Sequence, residues 1–311
     1  MPRPSRIEFP GALYFVSARS MPDQPLFQDN IDRRRFLEII DAALKRYTLS
    51  LHAYVLLDDG YRLLLETPLG NLTKAMQYVN SHYTAYANTR RKRTAQVFKG
   101  RYASSLIDKG RYLLKLVRYI HYLPVHLKHS RTPESYQWSS HQAYTRGAAQ
   151  PPVVSTNDAL SRFDGDRDRK SRRFNEYVAA AAGINMQAMT VLLKKSRTLG
   201  NVDFEEKAVQ AAQTPPVKIL PDTIIDMTAE FFKVEKQSIL DNKTKPNYPR
   251  NAAIFLCRNM TDTPLDCLGD MFGVGPSSVC NTAKRVDAHR RGEESLARTL
   301  GELEKSIRAR A

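Results

Sequence analysis

Two periodicities divide the first 126 residues. ALYFVSARS, residues 12–20, is rich in β-branched and aromatic side chains and predicts a strand. In DNIDRRRFLEIIDAALKRY the apolar residues Ile31, Phe36, Ile39, Ile40, Ala43 and Leu44 fall at helical spacing, with Asp29 or Asn30 as the expected N-cap. LSLHAYVLLDDGYRLLLETP reads as two strands joined by a tight turn at Asp58-Asp59-Gly60 and ended by Pro68 and Gly70. NLTKAMQYVNSHYTAYANTRR predicts a second helix capped by Asn71, with Leu72, Met76, Val79, Tyr83 and Tyr86 on one face. RYASSLIDKG predicts a further strand, and RYLLKLVRYIHYL a third helix that stops before Pro124. The order β-α-β-β-α-β-α implies an α+β fold that begins with a ferredoxin-like antiparallel sheet, its helices on one face.

Beyond this region the pattern changes. Residues 147–172 are rich in Gly, Pro, Ser and charge and read as a linker or exposed loop. A helical region over about 174–212 follows, then a break at QTPPVKILP, then a periodic helical segment to the end. The expected organisation is a sheet domain over 1–147, a linker and helical connector over 148–219, and an all-α domain over 220–311. The last of these contains TPLDCLGDMFGVGPSSVCNTAKRV, residues 263–286. Thr263 is the expected cap of a helix with Pro264 at its first position, where the missing N–H costs nothing. Leu265, Leu268 and Phe272 form its apolar face, and Gly273 stands where a turn needs positive φ. Ser277 and Ser278 open a second helix, with Val279 inward and Asn281, Thr282, Lys284 and Arg285 outward. Two helices joined by a short Gly-containing turn are the geometry that lays the second helix in a DNA major groove. There the short polar side chains suit base edges and Lys284 and Arg285 suit phosphates.

Charge sharpens the picture. The 311-residue chain has a net charge of +16, and residues 1–150 carry 23 Lys and Arg against 11 Asp and Glu, leaving only +4 for the remainder. A concentrated positive field favours a polyanionic partner, nucleic acid first. A membrane surface fits less well, because no basic segment carries a strongly apolar opposite face. The clearest cationic cluster is NTRRKR with Arg90, Arg91, Lys92 and Arg93; FKGRY adds Lys99 and Arg101 beside aromatic residues. Aromatic rings interleaved with cations suit strand or hairpin DNA through stacking and phosphate contacts. No apolar run approaches the roughly 18 residues of a membrane span, and MPRPSRIEFPG lacks the apolar core of a signal peptide. A cytoplasmic, nucleoid-associated bacterial protein is the expectation. Cys257, Cys267 and Cys280 form no CxxC pair, so small buried apolar roles are expected of all three.

Two resemblances follow from these stretches. DTIIDMTAEFFKVEKQSIL and NYPRNAAIFLCRNMT, with the two-helix motif after them, resemble the DNA-binding domain of the replication initiator DnaA over about residues 220–290. The first 145 residues resemble the REP-associated tyrosine transposases, relatives of small insertion-sequence transposases with an HUH motif. ALYFVSARS, DRRRFLEII, LHAYVLLDDGYRLLLETPLGNL, YVNSHYTAYANTRR, VFKGRYASSLIDKGRYLLKLVRYIHYLPV and YQWSSHQAYTRG carry this second resemblance. It implies DNA strand cleavage, in which a helix tyrosine attacks a phosphodiester and becomes joined to the 5′ end. Two histidines and a polar residue on the tyrosine helix hold a divalent cation in that family.

The chemistry has physical requirements. A phenol of pKa ~10 is mostly protonated at neutral pH, so attack needs activation or a polarised phosphate. A metal supplies that polarisation as a Lewis acid. Imidazoles on alternate residues of a strand converge on one ion. In this sequence the histidine positions are Gly60 and Arg62, with Tyr61 between. The tyrosine position is filled by Tyr119, and the polar position four residues on is Leu123. Gly60 offers no ligand, and Arg62 places a fixed positive charge where a cation would sit, which suits phosphate instead. His121, His126 and His129 lack the spacing of a zinc site and read as surface or phosphate-contacting residues, while Asp58 and Asp59 read as turn residues. The expectation is a DNA-binding transcriptional regulator derived from a tyrosine transposase, with a vestigial Tyr119 and no metal or other cofactor. The competing expectations are an active single-strand nuclease using Tyr119 with Mg²⁺ or Mn²⁺, and an RNA-binding protein using the same sheet.

Overall fold

The computed structural model describes residues 6–310 except 23, 148–151, 184, 214–218, 242–246 and 262. The Pro-rich break expected near 214–218 lies outside the described residues. The chain divides into two units, Met1–Pro216 and Val217–Ala311.

In the first unit, β1 (Ala12–Arg19), α1 (Asn30–Tyr47), β2 (Ser50–Leu57), β3 (Gly60–Thr67), α2 (Leu72–Arg90), β4 (Ala103–Ile107) and α3 (Lys109–His126) follow the expected order. The short helices α4 (His141–Thr145) and α5 (Asn157–Leu160) come next, then α6 (Arg167–Ala179), α7 (Met186–Lys195), β5 (Thr198–Leu199) and α8 (Val202–Gln213). The sheet order is β2-β3-β1-β4-β5. The first four strands are antiparallel in the ferredoxin-like arrangement, whereas β5 joins β4 in parallel, so the sheet is mixed. Asp29 caps α1 by accepting from the N–H groups of Ile31 and Asp32. Asn71 makes no side-chain cap; its amide donates to the Tyr47 carbonyl instead. Ile31 is exposed, while the rest of the expected α1 face is buried. α3 runs through Pro124, because that residue sits in the last turn and Leu127 N–H still reaches the Leu123 carbonyl.

Helices cover both faces of the sheet, not one. Tyr14, Val16, Tyr54, Leu56, Tyr61, Leu63 and Leu65 pack with α1 and α2. Leu13, Phe15, Ala53, Val55, Leu57 and Leu64 pack on the other side with Leu116, Val117 and Ile120 of α3 and Phe174 and Val178 of α6. A register shift between Leu51 and Ala53 puts those two odd-numbered residues on opposite faces. Residues 157–213 are therefore part of the first unit: their apolar side chains complete its core, and β5 extends its sheet. A connector role for them is corrected accordingly. Among the described residues, helices cover both faces of the sheet.

In the second unit the described elements are all helices: α9 (Pro221–Phe232), α10 (Lys236–Leu240), α11 (Tyr248–Met260), α12 (Leu265–Met271), α13 (Pro276–Gly292) and α14 (Glu294–Arg310). Ile224, Ile225, Phe255, Leu256, Leu268, Phe272, Val279, Leu300, Leu303 and Ile307 close one core. Cys257 lies in it, but Cys267 is exposed and Cys280 half-exposed, so only the first fits the expected buried role. Among the described residues, no helix is long and apolar enough to cross a membrane.

Candidate nucleic-acid interface and tyrosine site

β3 opens directly after a two-residue turn at Asp58 and Asp59, with Leu57 paired to Gly60. Gly60 is pressed against β1: a Cβ built there would lie 2.1 Å from the Ala18 carbonyl oxygen. This backbone leaves no room for any side chain, so the position excludes an imidazole as well as lacking one. Arg62 is 9% exposed, and its Nη1 donates to the carbonyls of Tyr61 at 2.8 Å and Ala18 at 3.4 Å. Burial lowers its pKa from the ordinary value, and Asp59 counteracts this. Its charge is thus spent on β-strand carbonyls rather than offered to solvent.

Tyr119 is 5% exposed on α3, edge-on to Phe15, with Leu123 buried one turn further. Its hydroxyl lies 2.9 Å from Thr190 Oγ1 of α7. Thr190 in turn donates to the Met186 carbonyl, which leaves the phenol as donor. Gly60, Arg62 and Leu123, the positions where the transposase resemblance would put metal ligands, present no donor atom, a guanidinium and an isobutyl group, a set that does not fit a divalent ion. Asp58 and Asp59 instead pair with Arg33 and Arg19. The one trio of converging metal-capable side chains among the described residues is His52, Glu66 and Asp158, at the other end of the hairpin. Lys109 already serves it as cation, 2.8 Å from Glu66 and 2.7 Å from Asp158.

The expected surface histidines divide. His126 and His129 are exposed, but His121 is fully buried, 2.7 Å from Ser140 Oγ and 3.4 Å from the Nδ1 of His141. His141 in turn reaches Asn175 at 2.9 Å. Burial first, and then His141, pushes the pKa of His121 well below its ordinary value. Burial also lowers His141, against the pull of Asn175 and Glu134.

The cationic cluster after α2 is likewise divided. Arg90 pairs with Asp29 at 2.6 Å and with the buried Asp32. Arg91 pairs with Asp32 at 3.0 Å and donates to the Leu26 carbonyl. Burial works to raise the Asp32 pKa, but the Gln28 N–H, Arg90 and Arg91 hold it below the ordinary value. These two arginines fasten the end of α2 to the start of α1. Lys92 and Arg93 instead line an open groove with Ala85, Asn88, Thr89 and Thr94. Asn88 holds that loop by donating to the Ala95 carbonyl at 3.0 Å. Lys99 and Arg101 are exposed in the next turn. Tyr83, Phe98 and Tyr102 are buried, so these rings serve the core and are not stacking surfaces.

In the second unit, α12 starts at Leu265 with Pro264 as its cap, one residue later than expected. Gly273 has φ +58°, as the turn requires. Gly269 is equally constrained, since a Cβ there would lie 2.6 Å from the Val274 carbonyl. Arg250, 5% exposed on α11, reaches the turn from beneath: Nη1 donates to Ile239 O and Nη2 to Phe272 O, each at 2.5 Å. On α13, Ser277, Ser278, Asn281, Lys284 and Arg285 are exposed. Thr282 is not available as an outward reader: it is 9% exposed, on the face shared by Val279 and Val286. Arg250 is the residue the sequence reading missed; its place in RNAAIFL, opening an apolar helix, is the signal that was available.

Residues 221–286 match the family model described as bacterial dnaA protein helix-turn-helix. The chain is also similar to chromosomal replication initiator proteins DnaA. With that of Caldanaerobacter subterraneus subsp. tengcongensis it shares 25% identity over 127 residues, 40% of this chain and 28% of that protein. With that of Symbiobacterium thermophilum it shares 26% over 174 residues, 51% of this chain and 38% of that protein. The chain thus spans well under half the length of these relatives. A solved structure of a REP-associated tyrosine transposase bound to a REP hairpin superposes with a TM-score of 0.41 and 15% identity, covering 54% of this chain and 93% of that one.

Proposed function

We propose that this protein is a sequence-specific DNA-binding regulator of transcription. Its C-terminal unit reads duplex DNA through α13, and its N-terminal unit binds the phosphate backbone without cutting it. The observation that carries the reading is the exposed polar stripe of α13, Ser277, Ser278, Asn281, Lys284 and Arg285, on a two-helix motif of the DnaA type. Its N-terminal residues suit base edges and its two cations suit phosphates. In the N-terminal unit, Lys92, Arg93, Lys99 and Arg101 offer cations to phosphates, in a hairpin or a repeat as much as in plain duplex.

The silence of the tyrosine site is part of the proposal. What supports it is a phenol that donates to Thr190, a buried Arg62 bonded to backbone carbonyls and a Gly60 with no room for a ligand. No cofactor enters the proposed function. Selection of bound sequences from a random duplex library, together with a genome-wide map of bound DNA, tests it. A single enriched motif, lost when residues 220–311 are removed, is the expected result. Binding with no sequence preference would overturn it.

A further inference from the structure

α3 carries Lys109, Arg111, Lys115 and Arg118 and no Asp or Glu. Its apolar residues are spent: Leu113, Leu116, Val117 and Ile120 are each at most 2% exposed. Lys109 is bound by Glu66 and Asp158. The other three cations fall at i, i+4 and i+7, on one outer stripe spanning roughly 10 Å of helix at about 1.5 Å per residue.

The stripe is held in place by aromatic rings. The Arg118 guanidinium lies 4.1 Å from the centre of the Tyr177 ring on α6, and the Lys115 ammonium 5.3 Å from that of Tyr112. Neither Lys115 nor Arg118 has a carboxylate partner among the described residues, while Arg111 meets only Asp108, at 3.4 Å. The neighbouring helices add to the field. α6 brings five Lys or Arg against Asp168 and Glu176, and α7 brings Lys194 and Lys195 with no acid. Like charges gathered on one face repel one another, and a bound polyanion relieves that repulsion. Ring-held cations also lose little freedom when they bind.

We propose that Arg111, Lys115 and Arg118 form a second contact surface for the phosphate backbone of DNA, on the face of the sheet opposite α2. The inference rests on the DNA-binding reading above and extends it to a tract that this reading does not use. A lipid surface does not suit the stripe, because α3 has no free apolar face to insert.

The test uses the full chain and a short duplex of random sequence, with Kd followed over a range of salt. Arg111→Gln/Lys115→Gln and the triple variant with Arg118→Gln are compared with the parent. Each lost contact should weaken Kd roughly fivefold at low salt. Each should also flatten the log–log salt slope by about 0.9. The double variant leaves the Tyr177 stack intact, so it keeps the test valid if the triple variant melts early. Lys207→Gln, on exposed α8, controls for net charge alone; an equal effect from it would overturn the proposal. So would parent-like binding by a folded double variant, or a loss seen only on phosphatidylserine vesicles or only on RNA. A parent that binds no DNA at all would sink both readings, whereas a parent that binds beside an unaffected double variant would sink this one alone.

Discussion

The guanidinium of Arg250 donates to the carbonyl of Phe272 at 2.5 Å, joining α11 to the turn between α12 and α13 of the helix-turn-helix motif. Its other terminal nitrogen takes the Ile239 carbonyl at the end of α10, so one buried side chain sets the position of three helices. Lysine cannot make this fork, because it is a single point donor. Arg250→Lys is therefore expected to destabilise the C-terminal unit by roughly 2–4 kcal/mol, through buried carbonyls left unpaired. It should also blunt discrimination between DNA sequences more than general affinity. Denaturant titration and competition binding check the two effects.

On α13, Asn281 and Lys284 should fail in different ways. Asn281→Ala is expected to relax preference at one base position, at about 1–3 kcal/mol of discrimination. Lys284→Gln should weaken binding evenly across sequences and flatten the salt slope by about 0.9. Thr282→Ser should leave preference unchanged, since that side chain faces the core. Binding to a panel of single-base variants of the selected site separates these outcomes.

Restoring histidines to the hairpin should not restore a metal site. The Cβ of Gly60→His would meet the Ala18 carbonyl at 2.1 Å, so β1 or β3 must shift. Gly60→Ala alone is expected to cost about 1–3 kcal/mol from overpacking. The double variant Gly60→His/Arg62→His should melt below the parent and take up no stoichiometric Mn²⁺ by calorimetry. Tight Mn²⁺ binding to the folded double variant would refute this account.

Tyr119→Phe removes one hydroxyl and its hydrogen bond to Thr190. The expected loss of stability is about 1 kcal/mol. DNA binding should match the parent. No 5′-phosphotyrosyl adduct should form with the parent on single-stranded hairpin DNA, with Mg²⁺ or Mn²⁺ present. An adduct that forms with the parent and vanishes with Tyr119→Phe would reinstate the nuclease reading.

Acid should weaken the first unit through His121 and His141. Both are lowered in the folded state, so below the ordinary histidine pKa of about 6.5 the unfolded chain takes up protons that the folded chain refuses. Stability contributed by the neutral pair is whole above that pH and falls as pH drops towards the depressed folded values. His141→Gln should shallow the decline between neutral pH and pH 5, as read from urea midpoints at each pH.

Much of the fold was legible because strands and helices in the first 126 residues announce their periods. The second helical layer was legible too, in a subtler form. Val55-Leu56-Leu57 and Leu63-Leu64-Leu65 are continuous apolar runs, which belong to strands buried on both faces rather than to a one-sided sheet. Thr282 could also have been placed inward, being three residues after Val279 and four before Val286. The fate of Arg90 and Arg91 could not be read locally. Their partners Asp29 and Asp32 lie about 60 residues earlier, and only the packing of α1 against α2 brings them together. The cationic tract on α3 was hidden for a related reason: its tyrosine partner on α6, Tyr177, lies 59 residues later in a region that reads as a separate helical connector.

The cover over Tyr119 is tied into the sheet. α7 runs directly into β5, and the Leu106 and Asp108 N–H groups donate to the carbonyls of Arg197 and Leu199. Baring the phenol therefore means peeling an edge strand, not swinging a free flap. Its exposure and the solvent exchange of those two amides should share one opening equilibrium, with one free energy for both. The Tyr119 hydroxyl is in this way kept behind the same hydrogen bonds that finish the sheet.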